Sequence, residues 1–491
     1  MDRQEKKNHY QVLGIPKEAT ADEIKSAYRK RAKELHPDIS GDIQRKTRFL
    51  HIQEAYETLS KPESRDLYDA ELDIFTKPPA NITIINSNNV NQNVKEEQKH
   101  YSFLRISPSK KNVNHQSDPI NLTILLDISS SMRGGRIYLA KKNIRKLFNH
   151  LEKNDKFSLI IFNDRATHTI QSNFVGNIKN IVNELDMIRT EGGTEIFQGL
   201  SKGLEDFDTN NSNNNYLILL TDGHTYGDEQ KCKNILKNAA GKNILFDVFG
   251  FGSKWNEIFL EDLVNETGGR AIFVKTESIL EHQFLERIKR RNDLVANSLS
   301  LNLEWNNDIT LSYVFKNRPD FRKLPQNKTI KLGNLYIDDH IEIIFEQLIK
   351  PNEKYSSFQS LGSGFIDMFV PNTQSIVREM INIYPKNNEK MMSPEEERYL
   401  ILCIRNLTFY RMQEEVKSDL TNGNYLQASK RLKYLTTQNF SKQNKKIIAE
   451  LEREAEFINK HKRFSKYGDK NITHGTRLLL SSPKTGRLND N

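Results

Sequence analysis

The residues best suited to chemistry in this 491-residue chain sit where an apolar run stops. Residues 121–132 read Asn-Leu-Thr-Ile-Leu-Leu-Asp-Ile-Ser-Ser-Ser-Met. Asp127, Ser129 and Ser131 alternate, so one tight loop offers three hard oxygen groups. Such donors suit a hard divalent cation such as Mg²⁺, with Ca²⁺ and Mn²⁺ as further options. The same residue types also begin helices as N-caps, and this stretch alone leaves both uses open. Two more polar clusters bear on the choice, Gly192-Gly193-Thr194-Glu195 and Thr221-Asp222-Gly223. A different motif, His36-Pro37-Asp38, follows a helix-like segment whose polar residues include Lys25, Arg29, Lys30 and Lys33.

The elements that must position the oxygen groups are legible in the hydrophobic pattern. Leu122–Leu126 reads as a strand buried on both faces, as in a parallel sheet. From residue 118 to about 292, strand-like runs at Phe157–Phe162, Tyr216–Leu220, Ile244–Phe249 and Ala271–Val274 alternate with helix-like segments. That succession predicts a doubly wound α/β domain. Ligands of such sheets bind at the carboxyl ends of the strands. Adjacent strand ends would therefore bring Thr194 and Asp222 beside the Asp127 loop. The set Asp127, Ser129, Ser131, Thr194 and Asp222 resembles the metal-ion-dependent adhesion site of von Willebrand factor type A domains. The resemblance implies direct ligation by Ser129, Ser131 and Thr194, with Asp127 and Asp222 acting directly or through water. It also implies that waters, or a carboxylate from a protein client, complete a near-octahedral shell. His224 follows Asp222-Gly223 and reads as ordinary loop surface. No P-loop, nucleophile elbow or HExxH motif is present, so the expectation is a non-enzyme.

The first 72 residues pattern as helices. Thr20 and Glu23 form a capping-box start, and Ile24, Ala27, Tyr28, Ala32 and Leu35 then line one apolar face. A second helix carries Phe49, Ile52, Tyr56 and Leu59, which suits an antiparallel hairpin with His36-Pro37-Asp38 at its tip. Tyr10-Gln-Val-Leu-Gly-Ile, Ala27-Tyr28-Arg29-Lys30, His36-Pro37-Asp38 and Glu54-Ala55-Tyr56 together resemble the J domain of DnaJ-type co-chaperones. The resemblance implies docking on a DnaK-type ATPase and stimulation of its ATP hydrolysis. His36, Pro37 and Asp38 would be the essential loop, and Lys25, Arg29 and Lys30 the basic docking face. The Gly/Phe-rich stretch and cysteine-rich repeats of general DnaJ proteins are absent, so a client site is expected elsewhere in the chain.

The remaining expectations are coarser. Residues 73–117, with Pro78-Pro79 and an Asn-rich run, read as a flexible linker, with Ile82–Ile85 as a local strand and Tyr101–Ile106 as an edge strand. Residues 295–384 read as a small β-sandwich, 393–464 as a helical bundle, and 465–491 as a polar tail, disordered or docked as a strand. Hydrophobic content of 36%, 28% charged residues and mean hydropathy of −0.69 fit a polar-surfaced protein. No apolar run approaches the roughly 20 residues of a transmembrane helix. The net charge of +9 is scattered, whereas nucleic-acid binding calls for a concentrated basic face. Cys232 and Cys403 fit no zinc spacing or disulfide framework, which favours the cytoplasm. The combined expectation is an adaptor co-chaperone holding a client with an acidic residue. The alternative is a structural scaffold of a multi-protein complex.

Overall fold

Capping and one apolar seam organise the first of two units, residues 1–78. Its helices are α1 (His9–Leu13), α2 (Ala21–Leu35) and α3 (Ile43–Leu59). The expected capping box opens α2: the Thr20 N–H donates to Glu23 Oε2 at 2.7 Å, and the Glu23 N–H to Thr20 Oγ1 at 3.4 Å. Tyr10, Leu13, Ile24, Ile52, Ala55 and Leu59 form the core, and Tyr28 stacks on Tyr56 with ring centres 4.1 Å apart. Arg65 pins the module shut, donating to Tyr10 Oη (3.0 Å) and to the Ala19 carbonyl (2.7 Å).

The computed structural model describes residues 9–16, 19–35, 43–65, 68, 78–87, 96–109, 119–175, 178–207, 214–223, 225, 227–239, 242–252, 255–350, 360–371, 375–385, 393–438 and 444–480. His36, Pro37, Asp38 and His224 lie outside the described residues.

The second unit, residues 79–491, begins with strands where a linker is expected. These are β1 (Ala80–Asn86) and β2 (Gln98–Pro108). The α/β domain follows: β3 (Ile120–Asp127), α4 (Gly135–Phe148), β4 (Lys156–Phe162), β5 (Ala166–Phe174), α5 (Ile178–Met187), α6 (Ile196–Leu204), β6 (Asn214–Thr221), α7 (Glu229–Asn238), β7 (Ile244–Phe251), α8 (Glu257–Asn265), β8 (Ala271–Val274) and α9 (Glu277–Lys289). The sheet order is β5-β4-β3-β6-β7-β8, parallel throughout except for β5 against β4. Every residue of β3, β6 and β7 is buried, which is why these strands read as unbroken apolar runs rather than alternating ones. Ile144, Leu185 and Phe284 from α4, α5 and α9 cover one face of the sheet. Leu200, Leu236 and Leu260 from α6, α7 and α8 cover the other.

The chain then forms β9 (Leu294–Trp305), β10 (Ile309–Arg318), β11 (Arg322–Lys323), β12 (Thr329–Tyr336), β13 (Ile341–Ile349), β14 (Gly362–Val370) and β15 (Ser375–Ile383). One sheet runs β1-β2-β13-β10-β11 and the other β12-β9-β14-β15. Leu104 and Ile106 of β2 meet Leu301, Ile343 and Ile366 in the core between them. On the opposite face of β2, Phe103 packs with Phe315 and Ile344 against the C-terminal helices. Those helices are α10 (Pro394–Thr421), α11 (Tyr425–Thr436), α12 (Lys445–His461) and α13 (Gly468–Leu480). Helix α10 starts with a full capping box, Ser393 to Glu396, and Pro394 in its first turn.

Two expectations are corrected. Residues 73–117 are not a plain linker: β2 is an interior strand paired with both β1 and β13, not an edge of the α/β domain. The α/β domain is therefore inserted between the second and third strands of the sandwich. The physical reason is sequence distance, since Tyr101 and its hydrogen-bond partner Glu346 are 245 residues apart. Residues 465–491 are not simply a polar tail: α13 buries Ile472, Leu479 and Leu480 in the bundle as a helix, not a strand. Residues 481–491 lie outside the described set.

Candidate metal centre and chaperone-docking face

The oxygen groups converge where the strand order reverses. From β3 the chain proceeds to β4 on one side, and later returns to place β6 on the other. The loops after β3 and β6 therefore flank a topological switch point, the crevice in which open α/β sheets bind ligands. Ser129 Oγ and Ser131 Oγ are 2.9 Å apart, and Ser131 Oγ donates to Asp222 Oδ1 at 2.9 Å. Three oxygen donors thus form one connected chain. Asp127 is fully buried and engages both carboxylate oxygens, accepting from the Ser129 N–H (2.8 Å) and the Thr221 hydroxyl (2.6 Å). Its role in this arrangement is to hold the loops.

Thr194 is buried on the Gly192–Glu195 loop, which is stitched to both neighbours. The Ser130 N–H donates to the Gly192 carbonyl at 3.1 Å. The first turn of α6 donates from Ile196 N to Thr225 Oγ1 (3.3 Å) and from Phe197 N to Asp228 Oδ2 (2.7 Å). Gly223 supplies the turn beside Asp222: its φ is +81°, and a Cβ there would lie 2.7 Å from Trp255 Cα.

Electrostatics at the site are set by burial and by one cation. Burial pushes the Asp127 carboxyl up to about 6, against the lowering pull of the Thr221 and Ser129 donors, and the nearby Asp222 raises it further. A divalent ion beside it would favour the ionised form. Arg136 Nη1 contacts Asp222 Oδ2 (2.5 Å) and the Ser131 carbonyl (2.8 Å). Sequence reasoning missed both Arg136 and Thr221. Thr221 lay inside a cluster already singled out, whereas nothing local marks Arg136, whose contact to Asp222 forms only when β3 and β6 become neighbours. Among the described residues no group of three or more His, Cys, Asp or Glu side chains forms a metal cluster. The donor set fits a hard cation through hydroxyls and one or two carboxylates instead. Both cysteines are buried and free, and burial pushes their thiols up, which disfavours the reactive thiolate.

In the first unit, Lys25, Arg29 and Lys30 are all exposed on α2. Their one-, four- and five-residue spacing places them along the polar side, opposite buried Ile24. Among the described residues, no helix is long and apolar enough to cross a membrane.

Comparison with known proteins agrees with this architecture. Residues 8–69 match the DnaJ domain family, residues 121–287 the von Willebrand factor type A domain family, and residues 400–482 the Sll0103-like, C-terminal alpha-helical domain family. The chain is 29% identical over 204 residues to the uncharacterized protein sll0103 of Synechocystis, covering 41% of this chain and 49% of that one. It is 52% identical over 66 residues to the chaperone protein DnaJ of Caldicellulosiruptor bescii, covering 13% of this chain and 17% of that one. The chain thus spans about half the length of the first relative and about a sixth of the second. Among solved structures, a von Willebrand factor type A protein from Catenulispora acidiphila aligns with TM-score 0.61 at 15% identity, covering 84% of this chain and 99% of that one. The ArnB paralog VWA2 from Sulfolobus acidocaldarius aligns with TM-score 0.53 at 16% identity, covering 82% of this chain and 100% of that one. Those shares exceed the type A domain, so the likeness in fold extends to the sandwich and helices around it. The chain carries a J domain followed by a type A domain, and neither is a catalytic family.

Proposed function

We propose that this chain, a J domain joined to a type A domain, is a cytoplasmic adaptor co-chaperone. Its J domain recruits a DnaK-type ATPase and stimulates ATP hydrolysis there, with His36, Pro37 and Asp38 as the essential loop and Lys25, Arg29 and Lys30 as the docking face. Its type A domain holds a protein client through a divalent cation, Mg²⁺ or a similar ion. Ser129, Ser131 and Thr194 would hold that cation, with Asp127 and Asp222 ordering the shell and balancing its charge. The client supplies an acidic side chain, because a charge-dense cation favours an anionic oxygen. The observation that carries the reading is the chain of oxygens from Ser129 through Ser131 to Asp222 at the switch point. A J domain without client-binding repeats of its own needs such a capture site.

The test combines two readouts on the full-length protein. Added to a DnaK-type ATPase, wild type should stimulate turnover and His36→Gln should not. Calorimetry with Mg²⁺ should show binding to wild type and none to Asp127→Ala. Stimulation indifferent to His36 would remove the co-chaperone half, and equal Mg²⁺ binding by both proteins would remove the metal half. If a stable complex is recovered in EDTA without any chaperone, the scaffold reading replaces this one.

A further inference from the structure

A second cavity of chemical interest lies away from the metal loops, where three parts of the second unit meet. It has a volume of about 440 Å³, within the range of small-molecule sites. The type A domain contributes Trp255, Arg270 and Phe273, the sandwich contributes Phe321 and Arg322, and α13 contributes Lys470. Trp255 and Phe273, both lining the cavity, lie nearly parallel at 11° and 6.3 Å between centres, with Lys470 Nζ 5.4 Å from the centre of the Trp255 ring.

The charges around the cavity do not cancel. Each carboxylate lining it already has a cationic partner. Glu257 has Lys417 at 2.9 Å, Glu261 has Arg477, and Asp320 has Lys316 and Arg322 at 3.1 and 3.0 Å. Arg270 is the most loosely held cation, acting on Asp320 only from behind the closer Lys316 and Arg322. Its ion-pair contact among the described residues is Glu286 at 3.7 Å, and Arg290 competes for the same carboxylate at 3.6 Å. Among the described residues, Arg270 Nε and Nη2 have no hydrogen-bond acceptor, and neither has the indole Nε1 of Trp255, a residue only 3% exposed. Buried donors left without acceptors cost free energy. Several of them on the wall of one cavity mark where an acceptor belongs.

We propose that this cavity binds a small organic anion with a flat apolar body, of the aromatic carboxylate class. The body lies against Trp255, Phe273 and Phe321, and the carboxylate is held by Arg270 and the Trp255 N–H. The pairing follows from charge-assisted hydrogen bonding of a guanidinium to a carboxylate. Nothing in it depends on the metal centre or the J domain.

Two probes with the same ring system and opposite charge test the idea on the full-length protein by calorimetry: 2-naphthoate and 2-naphthylmethylammonium. The naphthoate should bind at least about tenfold more tightly, a difference of roughly 1.4 kcal/mol. Arg270→Gln should abolish that preference, and Arg270→Lys should restore part of it. Ser278→Trp, at an exposed rim position, should block both probes while leaving the helical signal and melting temperature unchanged. It also decides the matter should Arg270→Gln fail to fold. Equal affinity for the two probes, naphthoate binding indifferent to Arg270→Gln, binding that survives Ser278→Trp, or no naphthoate binding at all would each overturn the proposal.

Discussion

Replacing Gly223 by Ala should damage both stability and the proposed metal centre, for reasons that separate cleanly. Gly223 sits at φ +81°, a left-handed conformation that costs a residue with a Cβ about 1–2 kcal/mol. The new Cβ would also lie 2.7 Å from Trp255 Cα and 3.1 Å from Asn256 N. These are backbone atoms that cannot rotate aside, and overpacking of this kind costs about 1–3 kcal/mol. The sum is about 2–5 kcal/mol. Gly227, four residues on in the same loop, provides the control. Its φ is +75°, but nothing lies within 4 Å of an added Cβ, so Gly227→Ala should cost only the backbone share of about 1–2 kcal/mol. Differential scanning calorimetry of the second unit's transition should rank wild type above Gly227→Ala above Gly223→Ala. The gap between the two variants should be about 1–3 °C, since a unit of this size shifts by only about 1 °C per kcal/mol. Since Asp222 precedes Gly223 and Gly223 accepts from the Asn256 N–H at 3.2 Å, relieving the clash must displace the Asp222 carboxylate. Mg²⁺ affinity should therefore fall in Gly223→Ala and hold in Gly227→Ala. Equal melting of the two variants, or an unchanged cation affinity in Gly223→Ala, would refute the reasoning.

Three further outcomes are expected. Arg136→Gln removes a charge that competes for Asp222, so calorimetry should show tighter Mg²⁺ binding at low salt and a smaller gain at high salt. Weaker binding would mean that the contact to the Ser131 carbonyl matters more than the charge. Among the described residues, Arg105→Met takes from fully buried Glu342 the nearer of its two cations, 2.8 Å away, and leaves it only Arg318 at 3.6 Å. Breaking a buried pair on one side costs about 3–5 kcal/mol, which thermal denaturation would register, whereas a true linker residue would register nothing. Burial pushes the carboxyls of Glu257 and Asp469 up, but Lys417 and Lys470, with Arg477 acting on Glu257, outweigh it, and both titrate below their ordinary range. The depressed values mean that their stabilisation is complete above the unfolded carboxylate pKa, about 4, and is lost as pH falls through the folded values. Amide exchange in α13 should therefore accelerate below about pH 4 before exchange in β3 does.

Much of the molecule was legible residue by residue, because its signals are local. The capping box at Thr20 and Glu23 involves residues three apart. The strand Leu122–Leu126 is apolar throughout because a parallel sheet buries both faces, and that burial is visible in composition alone. Asp127, Ser129 and Ser131 advertise a hard-oxygen loop by spacing, and the same sheet logic drew Asp222 to it, with the loop of Thr194 tied alongside through Gly192. Tertiary structure decided what local pattern does not encode. Whether Tyr101–Ile106 is a tether, an edge or an interior strand depends on β13, more than two hundred residues away, because a strand's partner is chosen by hydrogen bonding and shared core. The helix α13 has a polar composition, and its few apolar residues acquire meaning only against the bundle that buries them. Arg136 reaches Asp222 only across the switch point. The cavity beside Arg270 exists only because three separately encoded parts meet there.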